Sequence, residues 1–291
     1  MPSYRYRVVD VFTEKPLEGN PLAVFPEASG MDSITMQKIA KEMNLSETTF
    51  VFPSTRADCT AHVRIFTPMR EMVFAGHPTI GTAYVMFDEG KTPETGRFAL
   101  EEGVGPVPVR VDPGDCPMIW LTTPPIQFGK TYQRGACADA IGLDTADLLD
   151  VEPQVVSAGN PNLYIAVKSK DAVDRSWCDL ARLAKVKQHG DDAFCVFVFT
   201  PTPEGAYSRM FAPEHGVVED PATGSATGPL AAYMMRHQLA SSKDGTRFLS
   251  EQGTKMGRRS ILYMLVRGDH GADGIDVGGY VTPLVDAVLK L

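Results

Sequence analysis

Two short stretches of the chain bring an acid, a base and a helix start together: AGHPTIGTAYVMF at 75 to 87 and EDPATGSATGPLAAYM at 219 to 234. Each sets a proton-exchanging group against a proline, His77 before Pro78 and Asp220 before Pro221, and continues in small residues. A polar residue followed by proline reads as a helix N-cap with proline in the first turn, where its missing N–H costs nothing. One helix is therefore expected to begin at Pro78 with His77 capping it, and another at Pro221 with Asp220 capping it. Helix starts turn unpaired N–H groups and the positive dipole end outward, an arrangement suited to a carboxylate ligand. In that setting Asp220 stays ionised and His77 favours neutrality. A third candidate is Glu47 in NLSETTFVF at 44 to 52, placed just ahead of a strand. It is either a solvated loop residue or a group aimed into a cleft at the strand end.

The elements that must position these residues come in two copies. Gly19-Asn20-Pro21 recurs as Gly159-Asn160-Pro161, RIFTP at 64 as RMFAP at 209, and HPTIGTA at 77 as DPATGSA at 220. Three anchors in one order, at offsets of 140, 145 and 143, imply two homologous halves. Between the anchors, 34–44 and 179–188 carry apolar residues at helical spacing. Strands are expected at 48–52 and 194–199, each ended by proline, and at 4–12, 22–25, 58–67, 96–101, 107–111, 118–123, 162–167 and 260–268. Each half thus alternates strands and helices. The segment TTPPIQFGK at 122–130 reads as the linker. The expected domains are 1–127, with the C-terminal strand 280–291 as a candidate addition, and 128–279. Glu47 breaks the repeat, because aligning FVF at 50–52 with FVF at 197–199 sets Phe194 opposite it.

Composition narrows the classes. A net charge of −8 over 291 residues supplies no basic excess for nucleic acid or anionic membranes. No apolar stretch is long enough to span a bilayer and the N-terminus lacks a signal-peptide pattern, so a cytoplasmic protein is expected. Five cysteines without CxxC spacing read as reduced and mostly buried thiols. No phosphate-binding loop, dinucleotide fingerprint or HExxH zinc signature occurs, so neither a cofactor nor a metal is expected. Ser225 in GSATG lacks the spacing of a nucleophile elbow and reads as a hydrogen-bond donor. His215 beside Glu214 reads as a solvated pair, and Arg64 and Arg209, paired by the repeat, read as braces of the sheets rather than ligand groups. Gly228 reads as a close-packing position.

Together GNPLAVF, NLSETTFVF, AGHPTIGTA and EDPATGSATGPLAAY, with EEGVGPVPVRV between them, resemble the PhzF-like isomerase family of phenazine biosynthesis along essentially the whole chain. The resemblance implies a fold like that of diaminopimelate epimerase: α/β (α+β), with two pseudo-symmetric domains, each a curved mixed sheet wrapped around a central helix, and the site in the interdomain cleft. It implies Glu47 as the acid/base moving a proton between substrate carbons, assisted by His77 and Asp220. Gly76, Gly224, Ser225 and Asn20 are then substrate-binding candidates for a small carboxylate, with no cofactor, and the chain is expected to form a homodimer. The related epimerases use two cysteines near the helix starts; none of the five here lies there, which speaks against two-thiol racemisation. The leading expectation is a cofactor-independent isomerase. The alternatives are a non-catalytic carboxylate-metabolite binding or interaction protein on the same scaffold, and an amino-acid racemase or epimerase.

Overall fold

A computed structural model describes residues 2–187, 191, 194–215, 217–268 and 274–291, with the side chain of His215 outside that set. The chain divides into two compact units, Met1–Thr122 with Val277–Leu291, and Thr123–Asp276. Six α-helices are described: α1 (Ser33–Met43), α2 (Gly76–Asp88), α3 (Arg134–Ala140), α4 (Lys170–Arg175), α5 (Leu180–Val186) and α6 (Gly224–Arg236).

In the first unit, Val281–Lys290 pairs antiparallel with Ser3–Val11, which pairs antiparallel with Asn20–Phe25. Asn20–Phe25 runs parallel to Glu47–Phe52, and that strand antiparallel to Ala61–Phe66. Ala61–Phe66 runs parallel to Arg97–Glu102, which forms an antiparallel hairpin with Gly105–Asp112. The second unit repeats all six pairings in the same order and sense: Gln127–Thr131, Gln154–Ser157, Pro161–Ala166, Cys195–Thr202, Gly205–Ala212, Arg247–Gln252 and Ser260–Val266. The duplication read from three short anchors is a duplication of topology.

Each sheet is curved around one helix. The stretch Gly76–Met86 of α2 is buried throughout, and the helix packs on strands Ser3–Val11, Asn20–Phe25, Glu47–Phe52, Gly105–Asp112, Met118–Thr122 and Val281–Lys290. A helix apolar on every side has no stable place except inside such a curl. Close approach requires glycine at Gly81, where an added Cβ would lie 2.6 Å from Leu22 Cδ2 and 2.8 Å from Val11 Cγ2. In α6 the same holds at Gly228, whose Cβ would fall 2.3 Å from Thr123 Oγ1. The outer helix α1 is capped by Asp32, which accepts from Thr35 N at 2.8 Å, and ends at Asn44 with φ 51°.

Several expectations are corrected. The segment 122–130 is not a bare linker, because Gln127–Thr131 is a strand paired with Gln154–Ser157. Its exposed sequence QFGKT has no apolar face to reveal it. Only Cys137 of the five free cysteines is buried, while Cys116 is exposed. Among the described residues no helix is long and apolar enough to cross a membrane.

Candidate functional site

Glu47 opens the strand Glu47–Phe52, in register with Leu22 of Asn20–Phe25. In the second unit the same ladder sets Cys195 against Asn162. Leu22 and Asn162 each lie two residues beyond the repeated asparagine, so the counterpart of Glu47 is Cys195, not Phe194. The carboxylate is present on one side of the duplication only.

His77 lies in the first turn of α2, and three groups meet there. Glu47 Oε2 lies 3.4 Å from His77 Nε2, and Asn20 Nδ2 lies 3.3 Å from His77 Nδ1. An amide nitrogen only donates, so His77 Nδ1 accepts and the proton of the neutral ring sits on Nε2, facing Glu47. Burial holds His77 neutral, with its pKa lowered to about 3. The His77 side chain is 4 % exposed and that of Glu47 17 %, so Glu47 is the more exposed member of the pair, although its Oε2 is buried against the histidine. The solvated-loop reading of Glu47 is excluded by this contact.

The helix starts differ from expectation. Helix α2 begins at Gly76 with Ala75 as N-cap, so His77 lies inside the first turn and does not cap it. Helix α6 begins at Gly224 with Thr223 as N-cap, and Asp220 ends the preceding strand Val217–Asp220. Pro221 pushes the residue before it toward extended backbone, which suits a strand end better than a cap. Asp220 is 7 % exposed and accepts from Thr223 Oγ1 at 2.5 Å. Aligning the helix starts sets Gly76 against Gly224 and His77 against Ser225, so the HP and DP dipeptides that looked alike are not equivalent. Gly76 and Gly224 are buried and Ser225 partly buried, each in the first turn where N–H groups lack intrahelical acceptors.

Sequence reasoning missed a pair of residues supporting these starts. Glu102 and Gln252 end the equivalent strands Arg97–Glu102 and Arg247–Gln252, and both are buried. Gln252 Nε2 donates to Asp220 O at 2.8 Å and Thr223 Oγ1 at 3.0 Å, while its Oε1 accepts from Thr223 N at 3.2 Å. Glu102 Oε1 lies 2.7 Å from Thr79 Oγ1. The signal was available: RFALEE and RFLSEQ have the same length, both open on Arg-Phe and both carry glutamate in the fifth place.

The two repeated arginines are braces. Arg64 grips Glu71 with two contacts of 2.6 Å, and Arg209 grips Glu219 with two of 2.8 Å while donating to the carbonyls of Asp174 and Ser176. Glu214 accepts from Lys187 at 2.6 Å, so it is engaged rather than solvated; the His215 side chain lies outside the described residues.

Comparison with known proteins agrees with this architecture. Residues 9–286 match the phenazine biosynthesis-like family. An uncharacterized isomerase of Clostridium acetobutylicum is 35 % identical over 280 residues, covering 91 % of both chains. The trans-2,3-dihydro-3-hydroxyanthranilate isomerase of Pseudomonas aeruginosa is also 35 % identical, over 273 residues and 91 % of both chains. The crystal structure of a PhzF-family phenazine biosynthesis protein from Bacillus anthracis superposes with a TM-score of 0.89 at 25 % identity, covering all of both chains. With its doubled sheet-around-helix units and a match spanning nearly its whole length, the chain belongs to the PhzF (phenazine biosynthesis-like) family.

Proposed function

We propose that this PhzF-family isomerase moves a proton between two carbons of a small carboxylate-bearing substrate, with Glu47 as the shuttle. The Glu47–His77 contact of 3.4 Å carries the reading. Glu47 as carboxylate takes a proton from carbon next to a conjugated system, and the electron pair spreads to the far end of that system. The protonated Glu47, whose side chain is 17 % exposed and can exchange its proton with solvent, then delivers a proton at the far carbon, so one base completes the isomerisation with no net gain or loss. His77 presents Nε2–H in the tautomer that Asn20 imposes, a neutral donor that steadies Glu47 or the developing anion. A ring that is still neutral at pH 7 can donate to Glu47 without bringing a positive charge beside it.

Helix starts are sites for anionic groups, so within the first unit the amide of Gly76, beside His77 in the first turn of α2, is the candidate to hold the substrate carboxylate. The relatives named trans-2,3-dihydro-3-hydroxyanthranilate isomerase make that cyclic amino acid the first substrate to test. Wild type in deuterated water should release isomerised product carrying deuterium. Glu47→Gln should bind the compound with similar affinity and lose at least about 10²-fold in rate, the lower range for general acid–base catalysis. Binding without isomerisation or label by the wild type would place the chain among non-catalytic carboxylate binders.

A further inference from the structure

Thr79, two residues beyond His77 in α2, has a hydroxyl with one proton and two acceptors around it. Oγ1 lies 2.8 Å from Ala75 O and 2.7 Å from Glu102 Oε1. A carbonyl cannot donate, so if both contacts are hydrogen bonds the second proton must come from the Glu102 carboxyl. The repeat offers a parallel, at a hydroxyl one turn earlier. At the equivalent strand end the second unit carries Gln252, a neutral group that donates to Asp220 O and to Thr223 Oγ1 beside the start of α6. A carboxyl that donates does in one unit what an amide does in the other.

We propose that Glu102 is a positioning residue: a neutral carboxylic acid that donates to Thr79 Oγ1, which donates in turn to Ala75 O, fixing the first turn of α2 that carries His77. The effect on turnover rests on the reading of Glu47 and His77 as the proton-transfer pair; the protonation of Glu102 does not.

Among the described residues no charge compensates Glu102. It is 4 % exposed, and its Oε2 is buried without a hydrogen-bond partner. On α2 the titratable groups are His77, Tyr84 and Asp88, of which Asp88 is held by Arg7 at 2.7 Å. On its own strand Glu101 points to the opposite face, toward Ser54 and Thr55, and is paired in register with His62. Across the hairpin its partner is Gly105. Burial therefore dominates and raises the Glu102 pKa to about 8, with the Thr79 contact opposing.

The test uses the intact chain and Glu102→Gln. Infrared difference spectra at pH 7 should show a protonated-carboxyl C=O band in wild type that is missing from the variant. The folded carboxyl holds its proton to about pH 8, whereas the unfolded one releases it near 4.5. The unfolding equilibrium of wild type should therefore shift toward the unfolded state by about tenfold per pH unit across that window relative to the variant, then level off. With trans-2,3-dihydro-3-hydroxyanthranilate, Glu102→Ala should lower kcat by at least about tenfold with little change in KM. Glu102→Gln should restore kcat and remove an alkaline limb near pH 8. An unchanged carboxyl band, or parallel pH dependence of stability in wild type and Glu102→Gln, would overturn the proposal whether or not the compound is turned over. If the band behaves as expected but kcat does not follow Glu102, protonation stands and the link to His77 falls.

Discussion

At the scale of single residues, the site depends on two buried groups kept neutral by their surroundings, and their pH effects have opposite signs. His77 has its folded pKa lowered from 6.5 to about 3, so it withholds a proton that the unfolded chain binds. Its stability contribution is complete above about pH 6.5 and is lost as pH falls toward 3. Glu102 retains a proton that the unfolded chain releases, so its contribution is complete below about 4.5 and is lost as pH rises toward 8. Each slope amounts to about 1.4 kcal/mol per pH unit, and between 4.5 and 6.5 they offset. Urea denaturation should give a plateau of stability in that interval from these two groups. In His77→Gln the acid slope should disappear and the alkaline one persist; loss of both together would show that the groups are not the source. His77 was legible in the sequence because histidine before a proline and a run of small residues is conspicuous. Glu102 was not, because a glutamate near a hairpin turn is ordinarily solvated, and only the RFALEE and RFLSEQ pairing distinguishes it.

At the scale of elements, the helix starts are held by what precedes them. Arg64–Glu71 and Arg209–Glu219 each clasp the strand leading toward a central helix to the segment that follows it, but they are not equally buried. The side chains of Arg209 and Glu219 are 11 % and 12 % exposed, against 23 % and 42 % for Arg64 and Glu71. Removing one partner of a buried pair leaves an uncompensated charge and costs about 3 kcal/mol or more, whereas an exposed pair contributes about 1 kcal/mol or less. Arg209→Met should therefore lower the unfolding free energy far more than Arg64→Met in urea titrations, and equal losses would contradict the burial argument. The bracing role was readable from the repeat, since two arginines conserved between halves at one topological position suggest architecture. The cap residues were not. Asp-Pro and His-Pro satisfy the local rule for a helix start, but Asp220 completes a strand and Thr223, supported by Gln252 from a distant strand, caps α6. Local propensity cannot register a cap whose partner lies 29 residues away.

At the scale of the molecule, the first unit is assembled from both ends of the chain, and this is the least local feature of the fold. Three anchors sufficed to read a duplication, yet they do not say which unit the final strand joins. Val281–Lys290 pairs with Ser3–Val11 along its length, and Asp286 meets Arg7 at 2.9 Å from the strand's outer face. Its own pattern is largely exposed, so apolar periodicity gives little notice of its importance. The ladder nevertheless covers one edge of Ser3–Val11, whose other edge is taken by Asn20–Phe25, the strand that carries Asn20. Ending the chain at Tyr280 should expose that edge, free the 8 % exposed Arg7 guanidinium from one of its two carboxylates, and loosen the packing around α2. Hydrogen exchange should then show lost protection at Ser3–Val11 and Asn20–Phe25, with Pro161–Ala166 and Cys195–Thr202 in the second unit little changed, because those strands belong to a separate core. Uniform loss of protection through both units would mean that the duplicated halves fold as one cooperative body, and that the final strand supports both.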